Sequence, residues 1–281
     1  MDRIIQGRSA TLTHTFTVDG VATDPSPDTA TISITRDDGT ILVAPGTATT
    51  EAGVGTVTFT LTPTQTAQLD TLTVTWEATF GGQPQTYRST VEIAGDVLFT
   101  IAQARAISAL ASTVTYPTAV IVAARTRVET MLEHECGVAF VARYAKATLS
   151  GNGTRTISLP PRTTNVRSVH RDGVMVSAGE LAAIRLMATG QAYNPAGWAA
   201  GFGNYAIAYE HGDSGHPDFP AASAAALAWA TDDLTGSSTD DRIKRFSEDG
   251  QSFEFAAPGV GAANPVVAAF ITSHNFNCMV A

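Results

Sequence analysis

The sequence predicts an α+β protein: a β-sandwich at the N-terminus, then a mainly helical domain with inserted β-hairpins. Three observations carry this. Threonine fills 24 of the first 95 positions, with apolar residues alternating between the threonines; this period of two marks strands with one wet face. At Gly95-Asp96 the composition changes and apolar residues take up helical spacing. The chain has 281 residues, 44% hydrophobic and 15% charged, enough for two cores and unlike a disordered chain.

In residues 1–95, Leu12, His14, Phe16 and Val18 share one face. Ala30, Ile32 and Ile34 repeat the pattern, as do Val57, Phe59 and Leu61. A longer run from Leu72 through Val74, Trp76 and Ala78 to Phe80 is answered by Tyr87, Ser89, Val91 and Ile93. Asp19-Gly20, Asp37-Asp38-Gly39 and Gly81-Gly82 supply turn chemistry between the runs. Pro63 to Leu69 reads as one helical turn. His14 lies on the apolar face and reads as a core residue, not a ligand. The unit carries ten acids and four bases, with no cluster that suggests chemistry. It resembles the immunoglobulin-like modules often appended to phage structural proteins. It lacks the disulfide of true immunoglobulin domains, so only the general architecture carries over.

Residues 96–281 form the second predicted domain. Thr100 is placed to cap a helix over 100–110, and Pro117 to start one over 117–136, with Gly137 as its C′ residue. Val120, Ile121, Ala124, Val128, Met131 and Leu132 make the apolar stripe of that helix. Arg125, Arg127, Glu129 and Glu133 fall largely off the stripe, with Arg125 and Glu129 as an i,i+4 pair. Residues 142–210 read as β-hairpins. One is set around Ser150-Gly151-Asn152-Gly153 and another around Arg171-Asp172-Gly173. Leu181 to Met187 reads as a further strand, and Asn194 to Gly203 as a glycine-rich loop carrying Trp198 and Phe202. Tyr205, Ile207 and Tyr209 alternate with small or polar residues, predicting a half-buried strand. Gly212, Gly215 and Pro217 then break the chain. Asp218 is a candidate cap and Pro220 fits the first turn of an alanine-rich helix over 219–234. Only Leu227, Trp229 and Leu234 are large and apolar there, so the helix is thin and suited to close packing. Residues 242–256 read as an extended hairpin around Glu248-Asp249-Gly250, and 265–274 as a short terminal helix.

The net charge of −9 argues against a general grip on nucleic acid. Cys136 and Cys278 are too few for a disulfide scaffold and match no zinc spacing, so buried thiols are expected. The start has no long apolar core, so no secretory signal is expected, and no run approaches a membrane span. Synthesis in a cytoplasm follows as an expectation, and no membrane partner is expected.

Several short motifs have a sharp and a bland reading. Gly212-Asp213-Ser214-Gly215 copies the nucleophile motif of chymotrypsin-like proteases. His216 takes the place of the following glycine, however, and no matching histidine segment lies upstream, so a local turn is the better reading. His211, Asp213, His216 and Asp218 match no standard metal spacing. His134 suits the C-terminal end of a helix, beside Glu135 and a packing Cys136. Asp232-Asp233 and Asp240-Asp241 have no acid–base partner placed by sequence. Copied around an axis, they would line a negative lumen that repels DNA phosphate. Gly151-Asn152-Gly153 precedes no helix and is not a phosphate loop. No catalytic, cofactor-binding or metal-binding residue is expected.

From Phe99 onward the order of parts resembles the head–tail adaptor, or head-completion connector, proteins of long-tailed bacteriophages. Leu159-Pro160-Pro161, Val166, Val169, Asp172-Gly173, Gly197-Trp198 and Tyr205 to Gly212 carry the resemblance. So do Pro220 with its helix, Asp249-Gly250, Pro265, Val266 and Phe270. It covers about two-thirds of the chain, and the N-terminal sandwich departs from the minimal pattern. The resemblance implies a structural protein of the virion neck, made in the host cytoplasm. Such a protein forms a homo-oligomeric ring, a dodecamer, beneath the portal protein. Its other implied partners are a head-completion, stopper or tail-terminator protein, and genomic DNA passing through the lumen unbound. Ala224, Ala225 and Ala228 are the candidate residues for ring packing, through close helix contact within or between subunits. Phe253, Phe255 and Phe270 are the candidates for partner docking. The alternative is a phage tail or surface adhesin that binds glycan through the sandwich.

Overall fold

The alternating threonines fold into strands that bury every second side chain. A computed structural model describes residues 2–26, 29–51, 54–187, 190–236, 244–248, 251–254 and 264–274. The structure is a mixed α+β arrangement, 26% helix and 40% strand, with several sheets. Among the described residues no helix is long and apolar enough to cross a membrane.

The first ten strands are β1 (Asp2–Ile5), β2 (Ala10–Thr15), β3 (Thr17–Val18), β4 (Val21–Ala22), β5 (Thr31–Arg36), β6 (Ile41–Thr47), β7 (Thr49–Glu51), β8 (Thr56–Leu61), β9 (Asp70–Phe80) and β10 (Gln83–Ala94). Five of them pair in the order β1-β10-β9-β5-β6, three in the order β2-β8-β7, and β3 and β4 pair with each other. β1 runs parallel to β10, and the other pairs are antiparallel. The two larger sheets share one core. Ile32, Ile34, Leu72 and Trp76 enter it from the first, Leu12, Val57 and Leu61 from the second. Each such side chain contributes about 1.5–3 kcal/mol on burial. His14, expected in the core, is half-buried at its edge, stacked on Tyr87 at 4.0 Å and held below its usual pKa by burial.

Next come α1 (Ile101–Ala106) and α2 (Thr118–Cys136). Thr100 and Gln103 make a reciprocal capping box on α1. The expected helix over 100–110 breaks at Ile107, which is extended, and resumes only as a 3-10 turn over Ser108–Leu110. α2 ends as expected at Gly137 in the left-handed conformation. Its expected face needs correction. Ile121, Ala124, Val128 and Leu132 are buried, but Val120 and Met131 are exposed. Arg125, Glu129 and Glu133 are buried instead. The helix is covered on two sides, by apolar helices on one and by charged strand residues on the other.

The remaining strands and helices are β11 (Arg143–Gly151), β12 (Thr156–Ser158), β13 (Thr163–Arg171), β14 (Val174–Met175), α3 (Ala178–Ala183), β15 (Arg185–Leu186), β16 (Gln191–Tyr193), β17 (Gly201–His211), α4 (Phe219–Thr235), β18 (Lys244–Glu248), β19 (Gln251–Glu254) and α5 (Pro265–His274). The expected hairpin at Arg171-Asp172-Gly173 is present, pairing β13 with β14. The expected hairpin at Ser150–Gly153 is not. β11 pairs with β17, and β12 pairs with β16. The Asn152 side chain accepts from the Thr154 N–H at 3.0 Å and turns the chain away. Gly151 closes that crossing, because a Cβ there would sit 1.9 Å from the Ala199 carbonyl oxygen. The strand expected over Leu181–Met187 is mostly α3, capped by Ser177, which accepts from the Glu180 N–H at 3.1 Å. Only Arg185–Leu186 is extended, and Gly201–Gly203 of the expected loop belongs to β17.

The third core lies under β17. Tyr205, Ile207 and Tyr209 are buried there as the alternation requires, with Trp198 and Val169. Trp198 donates its indole N–H to the Ala192 carbonyl at 3.2 Å, so its polar edge is satisfied in full burial. The helical core joins Ile121, Val128 and Leu132 of α2 to Ala225, Ala226 and Trp229 of α4 and Phe270 of α5.

Candidate functional site

Taken one by one, the residues singled out by sequence scatter. Ala225 is fully buried inside its own chain, packed in the core shared with α2 and α5. Of the two expected alternatives for close helix contact, within or between subunits, Ala225 takes the first, and its side chain is not open to a neighbouring copy. Ala224 is exposed and Ala228 half-buried, so part of the outer surface of α4 stays open. Phe270 is likewise a core residue, 5.4 Å from the Phe140 ring and stacked on His274 at 4.2 Å. It is spent on holding α5 to its own subunit, which corrects its assignment as a docking residue. Phe253 lies in β19, which pairs with β18. Phe255, Asp240-Asp241 and Cys278 lie outside the described residues.

The loop between β17 and α4 is built for structure. Asp213 accepts from the Gly215 N–H at 2.8 Å, the local turn expected of it. Ser214 makes no hydrogen bond among the described residues, while His216 lies 3.2 Å from the Asp218 carboxylate. Nucleophile and base are therefore not joined. Asp218 is the N-cap residue by position but its side chain caps nothing. It is drawn away to Arg162, 2.5 Å distant, and lies near His274 of α5. No group of three or more potential metal ligands occurs among the described residues. Cys136 is buried, and burial pushes its thiol up to about 12, so it packs and does not react. Asp233 pairs with Arg127, and Asp232 accepts from Asn264 at 2.7 Å.

The densest polar assembly was not legible in the sequence. Arg3 of β1, Glu92 of β10, Glu129 and Glu133 of α2 and Arg143 of β11 meet where the strand-rich N-terminal part joins the rest. Glu92 accepts from Arg3 Nε at 3.0 Å and from Arg143 Nε at 2.6 Å. Arg3 also reaches Glu129, and Arg143 reaches Glu133. Glu129 accepts in addition from the Leu98 N–H at 2.5 Å. Burial alone would raise the Glu92 carboxyl, but the Arg143 hydrogen bond and the charges of Arg3 and Arg143 outweigh it, and the net shift is downward. Burial pushes Glu129 and Glu133 upward, with their arginines offsetting only part. Glu133 Oε1 is buried without a partner, which is why it gains less than Glu92. Nearby, His211 is held down to about 4, first by burial and then by Arg143.

Beside this cluster a groove of about 770 Å³ runs between β5 and the β11-β17-β13 face. Most of its charges are paired, Arg36 with Asp70, Lys146 with Asp37 and Arg167 with Glu210, while Asp38 accepts from Thr40. At the far end of the same sheet the Asp172 N–H bonds the Asn204 carbonyl at 2.8 Å, setting the β13–β14 turn beside the start of β17. Phe202 there is 100% exposed, and on the edge strand β14 Val174 is 71% and Met175 57% exposed. A phenylalanine with no cover at all is the feature of this surface least explained by folding.

No protein-family model matches the chain, and no curated protein matches it.

Proposed function

We propose that the protein is a structural connector of a bacteriophage neck, an immunoglobulin-like β-sandwich joined to a head–tail adaptor domain. Copies of it would form a ring beneath the portal, extend the DNA channel and present a platform to the next neck protein. The observation that carries this reading is the fully uncovered Phe202 at the tip of β17, with Val174 and Met175 also exposed on the edge strand of the same sheet. A sheet that ends in such a tip, braced by a buried ion cluster at its base, is suited to transmit contact to an adjacent ring. The open face of α4 at Ala224, with Ala228 half-buried beside it, is the surface left for lateral neighbours. Supporting it further, the polar loop after β17 is committed to local turns and to tying α4 to α5, and not to a nucleophile–base pair.

The deciding experiment is electron microscopy of the full chain mixed with the portal protein of the same phage. Ring density seated on the portal, lost with Phe202→Ser while the fold is kept, is the expected result. Purified virions that lack the protein would end the proposal.

A further inference from the structure

Arg125 is the most unusual charge in the molecule. It is 8% exposed, in the middle of α2. Its natural partner one turn on, Glu129, is taken by Arg3 and by the Leu98 N–H. Arg125 is left with one hydrogen bond, from Nη1 to the Phe99 carbonyl at 3.2 Å, and its Nε is buried with no acceptor. Glu129 and Asp96 are close enough to act on its charge, yet neither accepts a hydrogen bond from it, and a buried guanidinium so poorly bonded is costly and needs an explanation.

Arg125 lines a pocket of about 400 Å³ between β1, β2 and α2. Arg3 and Arg8 line it too, and among the described residues no aspartate or glutamate does. The charge of Arg3 is already matched by Glu92 and Glu129. Arg8 is exposed and in no ion pair among the described residues. The rest of the wall mixes the hydroxyl residues Ser9, Thr11, Thr13 and Ser89 with an apolar strip that includes Val122, Val74 and Trp76.

We infer that this pocket binds a carboxylate carried on a short apolar stem. The carboxylate lies against the Arg125 guanidinium, whose planar edge suits a two-oxygen acceptor. Arg8 closes over it from the rim, and the stem lies on the strip of Val74, Trp76 and Val122. Part of the Arg125 charge is already offset by Glu129 and Asp96, and Arg8 is exposed, so the site matches a singly charged group better than a dianion. The inference is independent of the neck reading and holds for a free small acid or for an acidic side chain of a partner protein.

The test is calorimetric titration of the full chain with 3-phenylpropionate. Its controls are 3-phenylpropanol, and a blocked peptide with one glutamate beside one phenylalanine. Saturable binding of the acid, weakened by added salt and absent for the alcohol, is expected. Arg125→Gln lowers the affinity about tenfold or more, and Arg8→Gln lowers it about threefold. Val122→Trp fills the half-buried side of the pocket and blocks binding without removing a charge, which keeps the test alive if Arg125→Gln does not fold. Tighter binding of the peptide than of the free acid identifies a protein partner; the reverse identifies a small molecule. Equal binding of acid and alcohol, or no saturation by about 10 mM of either probe acid or peptide, overturns the inference.

Discussion

Arg143 and Glu92, 51 positions apart, lock the two parts of the molecule together: Arg143 donates to both carboxylate oxygens, at 2.6 Å from Nε and 3.0 Å from Nη2. The Glu92 side chain is only 6% exposed, so the pair is screened little by water. Glu92→Ala would leave two arginines short of a buried acceptor. The expected loss is about 3 kcal/mol, at the lower end for a broken buried pair because Glu129 and Glu133 stay in place. Urea unfolding monitored by tryptophan fluorescence checks it. A loss below about 1 kcal/mol would mean that the cluster reorganises freely.

His211 gives the fold a pH dependence of definite sign. Its folded value is about 4, below the ordinary value of about 6.5. Between those values the unfolded chain binds the extra proton, so stability is full above pH about 6.5 and falls as the pH drops through the window. The largest loss from this group is about 3 kcal/mol. Glu92, shifted down, adds to the loss further into acid; Glu129 and Glu133, shifted up, act in the opposite sense across the carboxylate range. His211→Phe keeps a ring beside Tyr209 and removes the proton. Urea midpoints across that window should then be flatter for the variant than for the parent.

Folding and assembly separate on α4. Ala225 is fully buried, so Ala225→Leu overpacks the contact of α4 with its own chain and costs about 1–3 kcal/mol. Ala224 is exposed, and Ala224→Arg should change stability by less than about 0.5 kcal/mol. If the outer face of α4 meets neighbouring copies, Ala224→Arg also abolishes ring density on the portal. Thermal melts and images of the same two variants give the answer, and intact rings from Ala224→Arg would move the lateral contact elsewhere.

What could be read in advance was local. Period-two alternation placed Ile32, Ile34, Leu72 and Trp76 in a core, and Thr100 was legible as a helix cap, though its reciprocal bond with Gln103 was not read. The partners of α2 were hidden for a physical reason. Helical periodicity assigns charged residues to solvent, yet Glu129 is buried by Arg3, 126 positions away. Nothing local to Glu129 encodes that partner. The partner of β11 was hidden in the same way. A Gly-Asn-Gly turn favours pairing with the next strand, but Tyr205 and Ile207 of β17 offered a better apolar match, and β11 paired there. The Asp218 cap failed because a charged neighbour, Arg162, outcompeted the helix N–H groups for its carboxylate. The open tip at Phe202 was visible as a glycine-flanked aromatic, Gly201-Phe202-Gly203, but its exposure depends on where the sheet ends.

Gly212 is the point on which the β17-to-α4 connection turns. Its φ is +84°, a conformation that residues with a Cβ rarely adopt, and a Cβ there would lie 2.1 Å from the Val141 carbonyl oxygen. Two separate costs therefore fall on Gly212→Ala: backbone strain of about 1 kcal/mol, and displacement of a buried backbone segment that holds Arg143 two positions on. The summed loss should exceed about 2 kcal/mol. Because Val141 leads into β11, the strain should be felt at the ion cluster as well as in the loop. Hydrogen exchange resolves the two. Faster exchange confined to the 212–218 loop would mean that strain alone acts. Faster exchange that extends to the Leu98 N–H, held by Glu129, would mean that the loop and the junction between the two parts move as one piece, which is the expected outcome.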